Sequence, residues 1–518
     1  MNSLLRSCLL TLLAGALYAL SYPSFITHRG SLILVLIALP LFLKQVHQAE
    51  NLKQQFLLVL LYNLGLNLTG FYWIPQTLQD FGQLPVVVSW VLGAFFSLIL
   101  QPHWWLYPLW LKFRPRVFPW ASERGILITA FLLTIFERYV PQQFPIFAGS
   151  PWFGMAPYLG MASIVSVTGF SFFTYWLSIQ NSMISHLSEK KFRPVPFFAI
   201  IGFIACNFVM KAEKEPSKDY LNARIVQANV GNFMKVSSEK GDVNSLETIN
   251  NRYKRLSLTE GEFKPDLIIW PETAYPDTFF GERTILGEVF KDVIKKTNAE
   301  MLIGGYDQDM TKSMMDMYET IFNSSVLISG DKVKTSYHKQ ILIPFGETLP
   351  FGPLNSTIVE WVPAVSLFAR GTNHPKMETK NGVRFVTPIC YEVLESGYMR
   401  ELLNQFGENR LIINHTNDSW YGDTAEPYQH LFLSKWRALE FNMPIIRSTN
   451  TGVTSVVFAD GSESKQLGIG EEGTLDVKVP LGNGKATIYQ TYGLWPFIMM
   501  FVFLLGITWW IEKKKSLP

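Results

Sequence analysis

Three residues in this sequence could supply a nucleophile, a base and a cation, each placed after an expected strand. Cys390 closes RFVTPIC and precedes Tyr391-Glu392 and a helical pattern. A thiol at a strand-to-helix turn is presented at the end of a sheet. Backbone N–H groups and a helix N-terminus can favour a thiolate and an oxyanion there. A free cysteine is also often buried and inert, so the residue type alone leaves both readings open. Glu272 ends the run LIIWPE. A strand-end carboxylate can act as a general base, or it can be a solvated loop residue. Lys339 follows His338 in SYHKQILIPFGE. Beside a cysteine and a glutamate it would stabilise a thiolate and donate to a tetrahedral oxyanion; alone it is a common surface lysine. The chemistry the three could perform together is acyl transfer through a cysteine.

Other chemistries find little support. The chain has three cysteines, and Cys8 and Cys206 lie within apolar runs, where they read as inert. There is no CxxC spacing and no HExxH, so neither a metal site nor a cofactor is expected. The formal net charge is +3. Its basic residues gather in short loops between apolar runs, a membrane-topology signal and not a nucleic-acid footprint.

The elements that must position the three residues follow from composition. Of 518 residues, 48% are hydrophobic and only 17% charged, which predicts membrane spans over part of the chain. Eight candidate spans lie near residues 4–21, 31–43, 55–75, 85–107, 123–137, 158–180, 195–211 and 491–511. The second and seventh are short. The first reads as a retained anchor and not a signal peptide, because Tyr22-Pro23 follows it and no small-residue cleavage site does. With the N-terminus in the cytoplasm, the cytoplasmic loops carry Lys44, Lys53, Lys112, Arg114, Arg116, Arg124, Lys190, Lys191 and Arg193, and the tail carries Lys513, Lys514 and Lys515. The opposite loops carry little beyond Arg29 and Arg138. The positive-inside rule then places both termini in the cytoplasm and the stretch 215–488 outside, in a Gram-negative cell the periplasm. A single cysteine in an outside-facing domain has no partner for an internal disulfide.

The expected division is therefore 1–214 for spans one to seven, 215–488 for a soluble catalytic domain and 489–518 for the last span and tail. Within 215–488, buried-type strands are expected at 223–229, 266–270, 301–305, 325–329, 384–388, 411–414, 444–447 and 453–458. Helical patterns at 244–258, 283–297, 393–406 and 427–441 alternate with them, which argues a layered α/β fold. The stretch 344–368 is rich in Pro, Gly and apolar residues without regular period. Its Phe345, Phe351, Trp361 and Phe368 are expected either to form a lid or lipid-facing wall or to pack the domain core.

The order Glu272, Lys339, Cys390 in WPE, HK and PICYE contexts resembles the nitrilase superfamily. VQANV at 226–230, NDSWYG at 417–422 and RALEFNMPIIRSTNTGVT at 437–454 also fit. The resemblance implies an αββα sandwich with a Glu–Lys–Cys triad. With the apolar runs on both sides, the whole chain resembles the apolipoprotein N-acyltransferase family, a membrane-bound branch. That resemblance implies an inner-membrane enzyme acting on a phospholipid acyl donor, typically phosphatidylethanolamine, and a diacylated apolipoprotein acceptor. It carries Glu347, Tyr391 and Glu392 over as supporting positions and places Trp420 in a family loop. The sequence departs from the family at Val236, where a tryptophan is frequent; Phe233 is the nearby aromatic. A monomer in the bilayer is expected. The rival reading is a membrane-tethered nitrilase-type amidase, which would release its acyl group to water.

Overall fold

LIIW at 267–270 and LII at 411–413 are unbroken apolar runs, which suit strands buried on both faces of a parallel arrangement. The computed structural model describes residues 3–80, 84–114, 122–183, 194–239, 241–309, 320–344, 346–349, 352, 355 and 367–515. It divides into two compact units, one formed by Met1–Ala212 with Thr487–Pro518 and the other by Glu213–Ala486.

The second unit holds two sheets. The larger contains β1 (Tyr220–Gln227), β2 (Leu267–Phe279), β3 (Glu300–Gln308), β4 (Ile321–Ser329), β5 (Lys332–His338) and, later in the chain, β11 (Gly473–Pro480). Its spatial order is β11-β1-β2-β3-β4-β5. The smaller contains β6 (Met377–Glu378), β7 (Arg384–Val386), β8 (Leu411–Thr416), β9 (Ile445–Thr449) and β10 (Ser455–Val457), in the order β10-β9-β8-β7-β6. In each sheet three central strands are parallel, β1-β2-β3 and β7-β8-β9, and antiparallel strands flank them. Parallel neighbours need crossovers, and helices supply them. Helices Val243–Ser257 and Glu288–Thr297 connect β1 to β2 and β2 to β3, burying Ile249, Tyr253, Phe290 and Val293 against Trp270, Met301 and Val326. Helices Ser396–Asn404, Glu426–Ser434 and Trp436–Phe441 serve the smaller sheet. The two sheets meet where β2 packs on β8 and β9. This is the layered arrangement expected.

Two expectations are corrected. β2 does not stop at Trp270 but continues to Phe279 through Pro271 and Pro276. Register shifts between Trp270 and Tyr275 and between Tyr275 and Thr278 accommodate the two prolines, which a regular ladder would exclude. β11 was not anticipated. It is a half-buried edge strand with polar residues interleaved, so it lacks the continuous apolar run that marked the others.

In the other unit every candidate span corresponds to helix, and some of the described helices are long and apolar enough to cross a membrane by themselves. Ala162–Met183 and Trp495–Lys514 are long and apolar enough to cross a membrane. Leu52–Gly70 with Trp73–Asp80, bent by 63°, and Val86–Leu98 with Pro102–Phe113, bent by 58°, raise the total to four if each pair is one span. Ser3–Ala19, Leu32–Gln48 and Val195–Val209 are shorter apolar helices. Glu123–Tyr139 carries four charged residues near its ends.

Candidate active site

The base and cation come from the larger sheet. Glu272 lies in the irregular stretch of β2 and is 6% exposed. The neighbouring strand can pass this close only because residue 304 is glycine. A Cβ there would stand 2.1 Å from the Pro271 carbonyl oxygen and 2.6 Å from the Glu272 Cα. Lys339 follows β5, and its backbone N–H donates to the Asn323 carbonyl at 2.9 Å. Its Nζ donates to Glu347 Oε1 at 2.8 Å and to Glu272 Oε1 at 3.2 Å. Asn323 Nδ2 donates to the same two oxygens, at 3.0 Å and 2.7 Å. The second oxygen of Glu347 accepts from the Ile343 N–H at 3.0 Å. Burial alone would push the Lys339 ammonium down, but the Glu272 and Glu347 carboxylates outweigh it and hold the lysine well above its ordinary range.

The nucleophile candidate comes from the smaller sheet. Beyond β7, Ile389 bridges to His415 of β8, and Cys390 turns with φ 54°. A non-glycine residue in the left-handed region costs roughly 1–3 kcal/mol and persists only where neighbours impose it. Here three sets of contacts impose it. Asn414 Nδ2 donates to the carbonyls of Pro388 and Cys390, at 3.0 Å and 3.1 Å. The buried Glu392 carboxylate accepts from the N–H groups of Ile389 (2.8 Å), Gln340 (2.6 Å) and Ile341 (2.9 Å) and from the Tyr337 hydroxyl (2.7 Å). Glu392 thus ties the cysteine turn to the residues just after Lys339. Arg437 Nη1 donates to the Leu394 carbonyl at 2.8 Å, and Glu440 Oε2 pairs with the Arg437 guanidinium, 2.8 Å from Nε, and accepts from the Ser396 hydroxyl at 2.9 Å.

The thiol is 4% exposed. Burial and then the Glu272 carboxylate push it well above the ordinary thiol range, against the pull of Lys339. The resting group is therefore a thiol. The helical run expected after Cys390 is present as the five-residue 3-10 helix Cys390–Leu394, with helix Ser396–Asn404 beginning after Glu395.

The structure brings Glu272, Lys339 and Cys390 together. Cys390 is electrostatically coupled to Glu272, Lys339 and Glu347, and the Thr416 hydroxyl neighbours it. Glu347 and Glu392 belong to the same assembly. The Tyr391 side chain turns instead toward Glu426 and His430. Trp420 lies in the short helix Asp418–Trp420 and is 41% exposed. Phe233 and Val236 fall in helix Asn232–Glu239, and their side chains lie outside the described residues, as do Phe345, Phe351 and Trp361. Phe368 is described: its ring stacks on Tyr306 at 5.7 Å and its N–H donates to the Glu347 carbonyl. Sequence reasoning missed Asn323, Asn414 and the Arg437–Glu440 pair. A signal existed for the asparagines, since both interrupt apolar strands, where a buried amide must find partners. It also missed Asp418, Glu426 and His430, the one described group whose ligand-type atoms converge within 4.8 Å of one another. Arg447 Nη2 already donates to Asp418 Oδ2 at 2.7 Å, and the Tyr391 hydroxyl to Glu426 Oε1 at 2.5 Å.

Two facing sheets that place a buried cysteine beside a lysine held between two glutamates define a nitrilase-type site. The carbon-nitrogen hydrolase family model matches residues 223–489, the span that contains both sheets. The chain belongs to the carbon-nitrogen hydrolase family. Its residues 14–180 match the model described as the apolipoprotein N-acyltransferase N-terminal domain. The chain is similar along nearly its whole length to proteins named apolipoprotein N-acyltransferase. That of Bdellovibrio bacteriovorus is 29% identical over 95% of this chain and 92% of its own. That of Haemophilus ducreyi is 29% identical over 95% and 94%. That of Photobacterium profundum is 28% identical over 98% and 95%.

Proposed function

We propose that this chain is a membrane-bound N-acyltransferase of lipoprotein maturation. It moves an acyl chain from a phospholipid, through a thioester on Cys390, to the α-amino group of a diacylglyceryl-cysteine at the N-terminus of an apolipoprotein. One observation carries the reading. A thiol coupled to a buried Glu272–Lys339–Glu347 cluster occurs in a chain that resembles apolipoprotein N-acyltransferases along nearly its whole length.

The geometry supports a ping-pong sequence. Glu272 takes the proton of the Cys390 thiol. Because the resting thiol is held protonated, deprotonation accompanies attack on the ester carbonyl and does not precede substrate. The ammonium of Lys339 and the N–H of Tyr391 hold the oxyanion; in model enzymes, losing one such donor costs roughly 3–4 kcal/mol. Collapse breaks the ester C–O bond, Glu272 returns its proton to the departing alkoxide, and the lysophospholipid leaves a thioester. The lipoprotein amine then attacks the thioester carbonyl, Glu272 accepts the amine proton, and the thiol is restored as the amide forms. Glu347 keeps Lys339 charged and aimed throughout.

Phosphatidylethanolamine is the proposed donor. The proposed topology is eight crossings of the inner membrane, with the catalytic unit in the periplasm, both termini in the cytoplasm and a monomeric chain. The 344–368 stretch is proposed to shield the thioester from water.

Incubation of the purified protein with labelled phosphatidylethanolamine is expected to add one acyl mass to the protein, on the peptide containing Cys390. A diacylated lipopeptide then discharges it as the amide. Release of free fatty acid with no amide would establish a hydrolase instead. Transfer by Cys390→Ala would refute the site.

A further inference from the structure

One of the two oxyanion donors assigned above is the backbone N–H of Tyr391. Asn414 holds the carbonyl of the same peptide at 3.1 Å, and the Tyr391 side chain supplies a second hold. The Tyr391 ring lies parallel to the His430 ring, with centroids 4.6 Å apart and planes 8° apart. Its hydroxyl donates to Glu426 Oε1 at 2.5 Å. Both partners stand on one helix, Glu426–Ser434, at positions i and i+4, so they present themselves on the same face. His430 and Glu426 are each 1% exposed, and Tyr391 is half-buried.

The rest of the shell holds the two partners still. Asp418 Oδ1 lies 3.6 Å from His430 Nδ1, and the other Asp418 oxygen is taken by Arg447 at 2.7 Å. Gly452 makes room for that carboxylate, since a Cβ there would meet Asp418 Oδ2 at 2.0 Å. Burial, followed by the nearby Arg447 charge, pushes the imidazole down to about 4, so the ring is neutral and stacks as an uncharged plate. Burial and the Asp418 charge push the Glu426 carboxyl well up, while Arg447 helps hold Asp418 below its ordinary range, so Glu426 keeps its proton and one negative charge faces Arg447.

We infer that His430 and Glu426 are positioning residues that clamp the Tyr391 side chain and thereby fix the oxyanion-donating N–H beside Cys390. This rests on the acyl-transfer reading of Cys390. The clamp holds the ring at its face and its tip, leaving the peptide on the opposite side of Cα aimed at the carbonyl oxygen. It acts on a group that matters only when an oxyanion forms, so its loss slows chemistry and leaves ground-state lipid binding alone.

The test uses the full-length protein in detergent, with labelled phosphatidylethanolamine as acyl donor and single-turnover formation of the acyl-enzyme read by intact mass. His430→Ala is expected to lower the acylation rate at least about tenfold, the scale of a misplaced oxyanion donor, with the donor concentration for half-maximal rate within about twofold of wild type. His430→Phe keeps a flat ring and is expected to restore the rate to within about threefold of wild type. Tyr391→Phe keeps the stack but loses the Glu426 anchor, and falls between them. Thermal melts identify a variant that has failed to fold, and His430→Phe then carries the test. A His430→Phe variant that is folded but as slow as His430→Ala overturns the inference. So does an unchanged rate in His430→Ala, and so does stoichiometric bound metal whose chelation abolishes activity, which would make Asp418, Glu426 and His430 an ion site. Cys390→Ala separates the two failures. If it still transfers acyl groups, the reading of the site falls; if it is inert while His430→Ala is normal, only the clamp falls.

Discussion

Two buried clusters flank Cys390, and each contains two carboxylates and a cation. In the first, Lys339 stands between Glu272 and Glu347, bonded to one oxygen of each, and the amide of Asn323 bridges the same pair. In the second, Arg447 bonds one carboxylate, Asp418, and the Asn414 amide oxygen, while Glu426 faces a tyrosine hydroxyl and a neutral imidazole. The first cluster therefore keeps its cation charged, because both carboxylates hold the ammonium proton in place. The second discharges its surplus by keeping a proton on Glu426. Similar composition yields opposite electrostatics because of where the single cation sits. A charged, mobile-proton cluster suits chemistry. A neutralised, closely packed one suits holding a backbone still.

The comparison fails at once if the thiol is not the acyl acceptor. Cys390→Ala is expected to lose acyl transfer by at least about 10⁴-fold, as for a nucleophile removed from a unit whose members act together. Quantifying labelled lipopeptide amide against time checks it.

Lys339→Met is next in size. It removes the oxyanion donor, so acylation should fall by roughly 10²–10³-fold. It also leaves Glu272 and Glu347 facing each other in a dry site, which costs on the order of 3–5 kcal/mol of stability. Adding Glu347→Gln should recover part of the melting temperature and none of the rate. If Lys339→Met folds as well as the wild type, the two carboxylates are not both ionised and the description of the first cluster is wrong.

How much of this was legible in the sequence depends on what each residue must do alone. Glu272, Lys339 and Cys390 were readable together from their order and their WPE, HK and PICYE contexts, although β2 runs on past Glu272 and the strand before Lys339 is polar. The layered α/β fold was readable from apolar runs alternating with helical patterns. Glu426 and His430 were not. They sit in EPYQHLFLS, a stretch whose pattern says only that it is a buried helix, and their partner Tyr391 lies 35 residues before Glu426. β11 was missed because an edge strand needs no continuous apolar run, and the end of β2 because bulges let prolines remain within it. The eight-span count came from apolar runs alone. The helices show that bends of 63° and 58° divide two of the runs, a tertiary feature that hydropathy does not encode.

Charge removal distinguishes the clusters directly. Glu347→Gln takes an anion from Lys339 and should lower acylation by about tenfold, the scale of a buried charge-assisted hydrogen bond. Glu426→Gln replaces a carboxyl that already carries its proton, so its melting temperature near neutral pH should correspond to a change within about 0.5 kcal/mol. Equal destabilisation by the two variants would mean that Glu426 is ionised and that the second cluster is not neutralised.

The smallest effect concerns the alkaline side. The folded state holds the Cys390 proton more tightly than the unfolded chain, whose thiol titrates near pH ~8.5. Its contribution to stability is thus complete below about pH 8.5 and is lost as the pH rises through the folded value, at up to about 1.4 kcal/mol per pH unit. Lys339, also raised, adds a loss of the same sign, but only above the unfolded lysine value of about 10.4. Buried tyrosines such as Tyr253, Tyr337 and Tyr421, also raised, add losses of the same sign as the pH nears their unfolded value of about 10, so the thiol's slope is read between about pH 8.5 and 9. Denaturation of Cys390→Ala in detergent should show that slope flattened, with the steeper fall above about pH 10.4 intact. A variant whose stability declines across the lower window as the wild type does would place the proton on another group. The resting Cys390 would then be no more basic than an ordinary thiol, and attack would not need Glu272 to take its proton.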